Sequence, residues 1–372
     1  MNRKRLVFLG VATAVLLLLL LLRPFRFVDN LFYDLNFAFS ASRPGDSVAV
    51  VALDPPSIAE IGALPWPRST MARLLEIIDS CGPRAVAPDF LFQRRSGREE
   101  NDSLRAVFSR MSNLVLPFRA TTVTARSVGR TPLVPKDIFV HRFLRLRRQK
   151  DLDNALFYRV LRFQAPDSQF TDHDGYGGFL NVSTSNTSQK LREVIHVLRA
   201  GGEYYPSFGL AATAAYYDLL PGDMVLDGAG PRVVLDDVSV PLTSYAASTF
   251  LNFRSDMSSI TVPAADLLAG EFDPALLRDR LVFVGVTDPA AAADFFTTPV
   301  RSQFPGVQVW ATAALDILQR RWVRRGGIGG VANVVLALLL FPGLALLLPV
   351  RKNVLELSIA CATVGLSVVV GV

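Results

Sequence analysis

Three long apolar stretches, Leu6 to Leu22, Ile328 to Val350 and Val354 to Val372, limit what this chain can become. Each approaches the ~20 residues that a helix needs to cross the hydrocarbon of a bilayer. Only the last carries a charge, Glu356, close enough to its start to snorkel to the interface. Together they account for a mean hydropathy of +0.32 over 372 residues, a balance unusual for a soluble chain. All three read as spanning helices. Arg3-Lys4-Arg5 precede the first, and Arg23-Pro24-Phe25-Arg26 follow it without a small-residue cleavage pattern. An uncleaved signal anchor is therefore preferred to a cleaved secretion signal.

Basic residues set the orientation. The amino-terminal cluster, and Arg351 with Lys352 between the second and third spans, place both on the cytoplasmic side; Arg320, Arg321, Arg324 and Arg325 argue the other way. Because the first helix usually dominates, the amino terminus is expected inside and the long middle region outside. The expected organisation is a cytoplasmic start and anchor over 1–27, one extracytoplasmic domain over 28–326, a span over 327–350, a turn over 351–353, and a truncated span over 354–372.

Little in the composition points to catalysis. Cys81 lies in the middle region and Cys361 inside an expected span, so no disulfide framework is expected, and His141, His173 and His196 are far apart in sequence. No metal-ligand spacing, cofactor motif or Cys/His nucleophile pair is found. The pI near 9.5 comes largely from charges flanking the spans, and no nucleic-acid recognition motif accompanies it.

The middle region alternates strand and helix patterns. Val28 to Phe39 has helical spacing, and SVAVVAL over Ser47 to Leu53 is the unbroken apolar run of a strand covered on both faces. Two proline clusters, Pro55-Pro56 and Pro65-Trp66-Pro67, lead into a helix beginning near Ser69 or Thr70 with Met71, Leu74, Leu75 and Ile78 on one face. AVAP at Ala85 to Pro88 is the next strand, and the unit predicts a parallel pair with a right-handed crossover. Asp102 to Met111 reads as a helix and Asn113 to Phe118 as a third strand. Arg142, Arg145, Arg147, Arg148 and Lys150 form a basic patch, read as a solvated face rather than a lipid-headgroup contact. Pro206 to Leu220 predicts a buried helix, Val233 to Val240 a hairpin about Asp236-Asp237, LVFVGV over Leu281 to Val286 a buried strand, and Val309 to Leu318 a last helix. The fold class is α/β, a mostly parallel sheet with flanking helices forming one extracytoplasmic domain, with transmembrane helices at both ends.

VALDPPSIAEIGALPWPR over Val51 to Arg68, then AVAPDFLF over Ala85 to Phe92, resembles the opening of the second cyclase- and histidine-kinase-associated extracellular sensory domain, CHASE2. YPSFGL from Tyr205, LNFR from Leu251, LVFVG from Leu281, Asp294 with Thr298-Pro299, and FPGV from Phe304 are similar to its later blocks, in order, over about 28–320. The resemblance implies one helix before the domain, three after it, and a cytoplasmic cyclase or kinase output module. The sequence stops at Val372 inside its third apolar stretch, so such a module is expected in a longer chain or a partner. Trp310 and Thr312 stand where the family has His and Asn, so a ligand role for that helix face does not carry over.

Ligands of open parallel sheets settle outside the carboxyl ends of the strands. Asp54, Asp89 and Asp288 are each expected at such an end, with Arg68 as their nearest partner. If the strands are neighbours, the carboxylates converge and suit a cation, or a ligand with an amine or guanidinium. An Asp–Arg tie between loop and sheet is the preferred alternative. Trp66 is another ligand-binding candidate, although packing is preferred for it. Asp294 is a further candidate, with turn chemistry at Thr298-Pro299 as its alternative, and Asn252 and Arg254 are read as backbone-bonding. The leading expectation is a membrane-bound receptor without catalytic residues, metal or cofactor, whose partners are the bilayer, an extracytoplasmic ligand of unknown identity and a second copy in a symmetric dimer. Its location is the cell membrane, the inner one in a Gram-negative cell. The alternatives are an anchored hydrolase using Asp54, Asp89 and Arg68, and a scaffold that only assembles other membrane proteins.

Overall fold

The computed structural model describes residues 44–323 apart from 93–97, 123–131, 155–156, 171–174, 183–189, 244–246 and 293, together with 30, 33–35 and 37. The three apolar stretches therefore lie outside the described residues, as do Glu356, Cys361 and His173. Among the described residues no helix is long and apolar enough to cross a membrane. The chain divides into two units, 1–40 with 324–372, and 41–323. In the first, the described residues between 30 and 37 are helical, on the segment expected to be a helix, and the Tyr33 and Phe37 rings meet edge-on at 5.0 Å.

The second unit is built on parallel strands. β1 (Val48–Leu53) leads through the short helix α1 (Pro55–Ile61) and helix α2 (Arg68–Ser80) to β2 (Ala85–Pro88); helix α3 (Arg98–Phe108) then leads to β3 (Val115–Thr122). A peripheral region follows, with β4 (Arg145–Arg147), β5 (Val160–Gln164), β6 (Tyr176–Phe179), β7 (Glu193–Ile195), and the hairpin β8 (Val197–Ala200) and β9 (Glu203–Pro206). Helix α4 (Phe208–Tyr216) precedes a meander of β10 (Val225–Asp227), β11 (Arg232–Leu235) and β12 (Val238–Pro241), then β13 (Ser248–Phe250). The chain returns to the main sheet through β14 (Thr261–Pro263), α5 (Ala264–Ala269) and β15 (Leu281–Val286). It closes with the two-residue strands β16 (Phe295–Phe296) and β17 (Phe304–Pro305) and helix α6 (Gly306–Leu318).

The main sheet has the order β14-β1-β15-β2, all parallel. The Val86–Leu114 bridge joins β2 to the start of β3, which runs parallel to β6 and antiparallel to β5. One expectation changes here: β1 and β2 are parallel but not adjacent, because β15 lies between them. LVFVGV is apolar on both faces, and such a strand buries most of its surface at the centre of a sheet covered on two sides.

Side-chain alternation decides what covers each face. Ala49, Val51, Leu53, Val86, Val282 and Val284 share one core with α2, α3 and α5. On the other face the Phe283 ring meets Phe208 of α4 edge-on at 5.9 Å, and Gly285 leaves room for Val307 of α6. Helix α2 is amphipathic, burying Met71, Leu74, Leu75 and Ile78, each contributing roughly 1.5–3 kcal/mol by leaving water. Helix α4 is buried all round from Phe208 to Ala215, as its alanine-rich sequence requires. The basic patch is a solvated face held by ion pairs, Arg145 to Asp223 at 2.9 Å and Arg142 to Glu203 at 3.5 Å.

Candidate functional site

The strand order places Asp54, Asp288 and Asp89 in succession along the carboxyl edge, yet the three carboxylates do different jobs. Asp54 caps α1: its Oδ1 accepts the Ser57 amide at 3.0 Å and the Ser57 hydroxyl at 2.5 Å. Ser57 Oγ in turn accepts the Ala265 amide at 3.0 Å, tying α1 to α5. Asp288 accepts the Ala290 amide at 2.9 Å, a local turn. Arg68 opens α2 as a buried side chain with its guanidinium 4.8 Å over the Phe170 ring. Trp66 is buried in the core and donates its indole N–H to Gly62 O at 2.7 Å. The three carboxylates do not converge on one point, and among the described residues no three His, Cys, Asp or Glu side chains gather to hold a metal. A carboxylate at a strand end is taken up first by the helix or turn that follows it.

Asp89 differs. Its amide donates to Val284 O at 2.8 Å, and its carboxyl neighbours that of Asp294, with Arg119 beside both. Burial, and then repulsion from Asp294, push Asp89 up to about 8 against the pull of Arg119. Burial also raises Asp294, whose carboxylate occupies the space a methyl on Gly306 would need, at the start of α6. A carboxyl raised by folding holds its proton in the folded state and loses it in the unfolded one, so stability falls as pH rises from about 4 towards 8. Thermal unfolding is accordingly expected at a higher temperature at pH 5.5 than at pH 8.5. Asp89→Asn is expected to flatten that slope and raise Tm at pH 8.5; an unchanged slope would refute the assignment.

A cleft of about 340 Å³ opens at the opposite, amino edge of the sheet. Arg84 stands just before β2, Asn113 just before β3, Tyr176 opens β6, and Tyr216 and Asp218 lie at the end of α4. The Arg84 guanidinium lies 5.2 Å over the Tyr216 ring. The buried Tyr176 hydroxyl stands beside the Asp218 carboxylate, and burial together with that carboxylate pushes it up to about 12. Asn113 is anchored by Pro83 O at 2.9 Å. The crevice thus lies at the strand ends opposite to those the open-sheet rule selected.

Helix α6 joins the regions of interest. Along its length it packs on α4, with the Trp310 and Phe208 rings edge-on at 6.1 Å and Gly209 letting Trp310 approach closely. Trp310 and Thr312 are fully buried, so this face is packing surface. At its far end Asp316 meets Arg254, which has no exposed side-chain surface. The Arg254 guanidinium donates to Asp316 Oδ1 at 3.1 Å, Asn252 O at 3.0 Å and Gln319 Oε1 at 3.0 Å, and the Asn252 amide donates to Asp316 Oδ2 at 2.7 Å. Burial pushes the Asp316 carboxyl up, and Arg254 and the Asn252 amide oppose it. Gln319 lies against Gly45, so the segments by which the chain enters and leaves this unit meet at the network. The backbone contact expected of Arg254 is present, and its main partner, Asp316, is a residue the sequence did not single out. His196 is likewise internal, between Ser207 Oγ at 3.2 Å and Thr249 Oγ1 at 2.8 Å, and burial lowers it to about 3.

The CHASE2 domain family matches residues 11–347, nearly the whole chain. The chain belongs to the CHASE2 domain family. CHASE2 is a family of extracytoplasmic sensor domains, and the mixed α/β fold with its parallel sheet is the body of this one. The motif blocks of the CHASE2 resemblance fall on β1 to α2, β2, the β9–α4 junction, the approach to Arg254, β15, and the β17–α6 junction. No curated protein and no solved structure matches the chain.

Proposed function

We propose that this chain is the input part of a membrane receptor: its CHASE2 domain senses an extracytoplasmic stimulus and passes it through membrane helices to a cytoplasmic output module. The carrying observation is α6, which packs through Trp310 on Phe208 at the start of α4, the helix whose other end lines the cleft, and ends in the buried Arg254–Asp316–Gln319 network where the chain enters and leaves the unit. A ligand that favours one arrangement of α4 against α6 shifts the population of that exit. The three apolar stretches hold the domain at the cell membrane, the inner one in a Gram-negative cell, and a second copy completes a symmetric receptor. The geometry gives the hydrolase alternative less support, since Asp54 caps α1 and Arg68 stacks on Phe170.

Coupling along α6 is measurable in the full chain held in lipid nanodiscs. Tyr216→Ala, at the cleft end of α4, is expected to change amide exchange over 306–319 by roughly fivefold or more, a local free-energy shift of about 1 kcal/mol. Ser239→Ala, on the exposed side of β12, is expected to leave those peptides unchanged. Changes confined to the neighbourhood of Tyr216 would contradict transmission through α6.

A further inference from the structure

We infer that the amino-edge cleft is a binding site for a small zwitterion, an aliphatic α-amino acid, with Arg84 taking its carboxylate and Asp218 its ammonium group. The two side chains line one cleft with opposite charge, and neither is engaged in an ion pair among the described residues. Each has an aromatic neighbour in the lining: Tyr216 lies under the guanidinium of Arg84 at 5.2 Å, and Tyr176 shares the cleft wall with Asp218. A lone arginine takes any anion and a lone aspartate any cation. Both in a cleft of about 340 Å³ select a compact molecule that carries the two charges a few bonds apart. Leu220, more than half exposed at the rim, and Ala215 give the same cleft an aliphatic surface.

The site lies on α4, whose other end packs on α6 through Phe208 and Trp310, so its occupancy would reach the exit of the domain under the receptor reading above. Binding itself does not depend on that reading. The test is isothermal titration of the full chain in detergent with L-leucine, isoamylamine and 4-methylvalerate, which share a skeleton and carry both charges, the ammonium alone and the carboxylate alone. L-Leucine is expected to bind with a Kd below about 1 mM, and either analogue at least tenfold more weakly, because each leaves one charged side chain without its partner. Arg84→Gln and Asp218→Asn are each expected to weaken L-leucine at least tenfold while moving the ligand-free Tm by less than about 4 °C, since both side chains are exposed. No heat from L-leucine at 10 mM, binding of an analogue as tight as L-leucine, or full affinity in either variant would overturn the assignment. A chain that binds L-leucine and shows no change along α6 keeps the site and loses the receptor reading.

Discussion

Arg254→Met is expected to lower the unfolding free energy of the 41–323 unit by about 3–5 kcal/mol, because it strands the Asp316 carboxylate in the interior with the Asn252 amide as its remaining hydrogen-bond donor among the described residues. For a unit of this size each kcal/mol shifts Tm by about 2–4 °C, so a fall of roughly 10 °C follows, read from the fluorescence of the buried Trp66 and Trp310. The control is the double variant Arg254→Met/Asp316→Leu. Replacing both members of a buried pair by apolar groups of similar size is often near neutral, so the double variant is expected to recover most of the loss. It stays below the wild type by about 1–2 kcal/mol, since the Asn252 N–H and Gln319 Oε1 lose their partners. A single variant within about 1 kcal/mol of the wild type would show that the pair does not clamp α6.

Gly178→Ala is the second large effect. A methyl there would sit 2.5 Å from Ser207 O, 2.6 Å from Phe208 Cα and 2.7 Å from Phe208 N, all backbone at the start of α4. Nothing on that side can rotate away, so β6 and α4 must separate, which costs about 3 kcal/mol or more. Its neighbour gives the comparison. At Gly177 the methyl meets only the ring of His141, at 2.6 Å from Cδ2, and a side chain can turn aside. Gly177→Ala is therefore expected to cost about 1 kcal/mol, and equal losses in the two variants would refute the backbone argument. Urea unfolding of both, followed by the same fluorescence, decides it.

The contrast between these two sites shows what the sequence made legible. The strands of the main sheet were readable because SVAVVAL, AVAP and LVFVGV are apolar without interruption, and α2 because its apolar residues fall on one face. The insertion of β15 between β1 and β2 was not, since it pairs Val48–Leu53 with residues more than two hundred positions away, and no local pattern carries that information. The candidate residues divide in the same way. Asp54, Asp89 and Asp288 stand at strand ends, as the apolar runs before them predict, but whether a carboxylate faces a cleft or caps the next turn depends on the two or three residues after it. Ser57 and Ala290 decided the matter for Asp54 and Asp288. Asp89 has Phe90 and Leu91 next, with no amide capped, and it alone met a second carboxyl, Asp294. Arg254 was visible as a cation after an apolar lead-in, while its partner Asp316 was a single acid in an apolar helix. That solitary position was the available signal, because a charge on the buried face of a helix requires a partner. The cleft residues Arg84, Asn113, Tyr176 and Asp218 come from four separate segments and share no spacing.

A receptor of this kind requires the 41–323 unit to face outward from a membrane-held chain. That orientation is tested most directly by labelling a full-length Cys81→Ala/Cys361→Ala chain, carrying Glu271→Cys on the exposed surface of the domain or Arg351→Cys in the expected turn, with a membrane-impermeant maleimide. In intact spheroplasts Glu271→Cys is expected to label fully and Arg351→Cys only after permeabilisation. Labelling of Glu271→Cys only after permeabilisation would put the domain inside the cell and contradict the account.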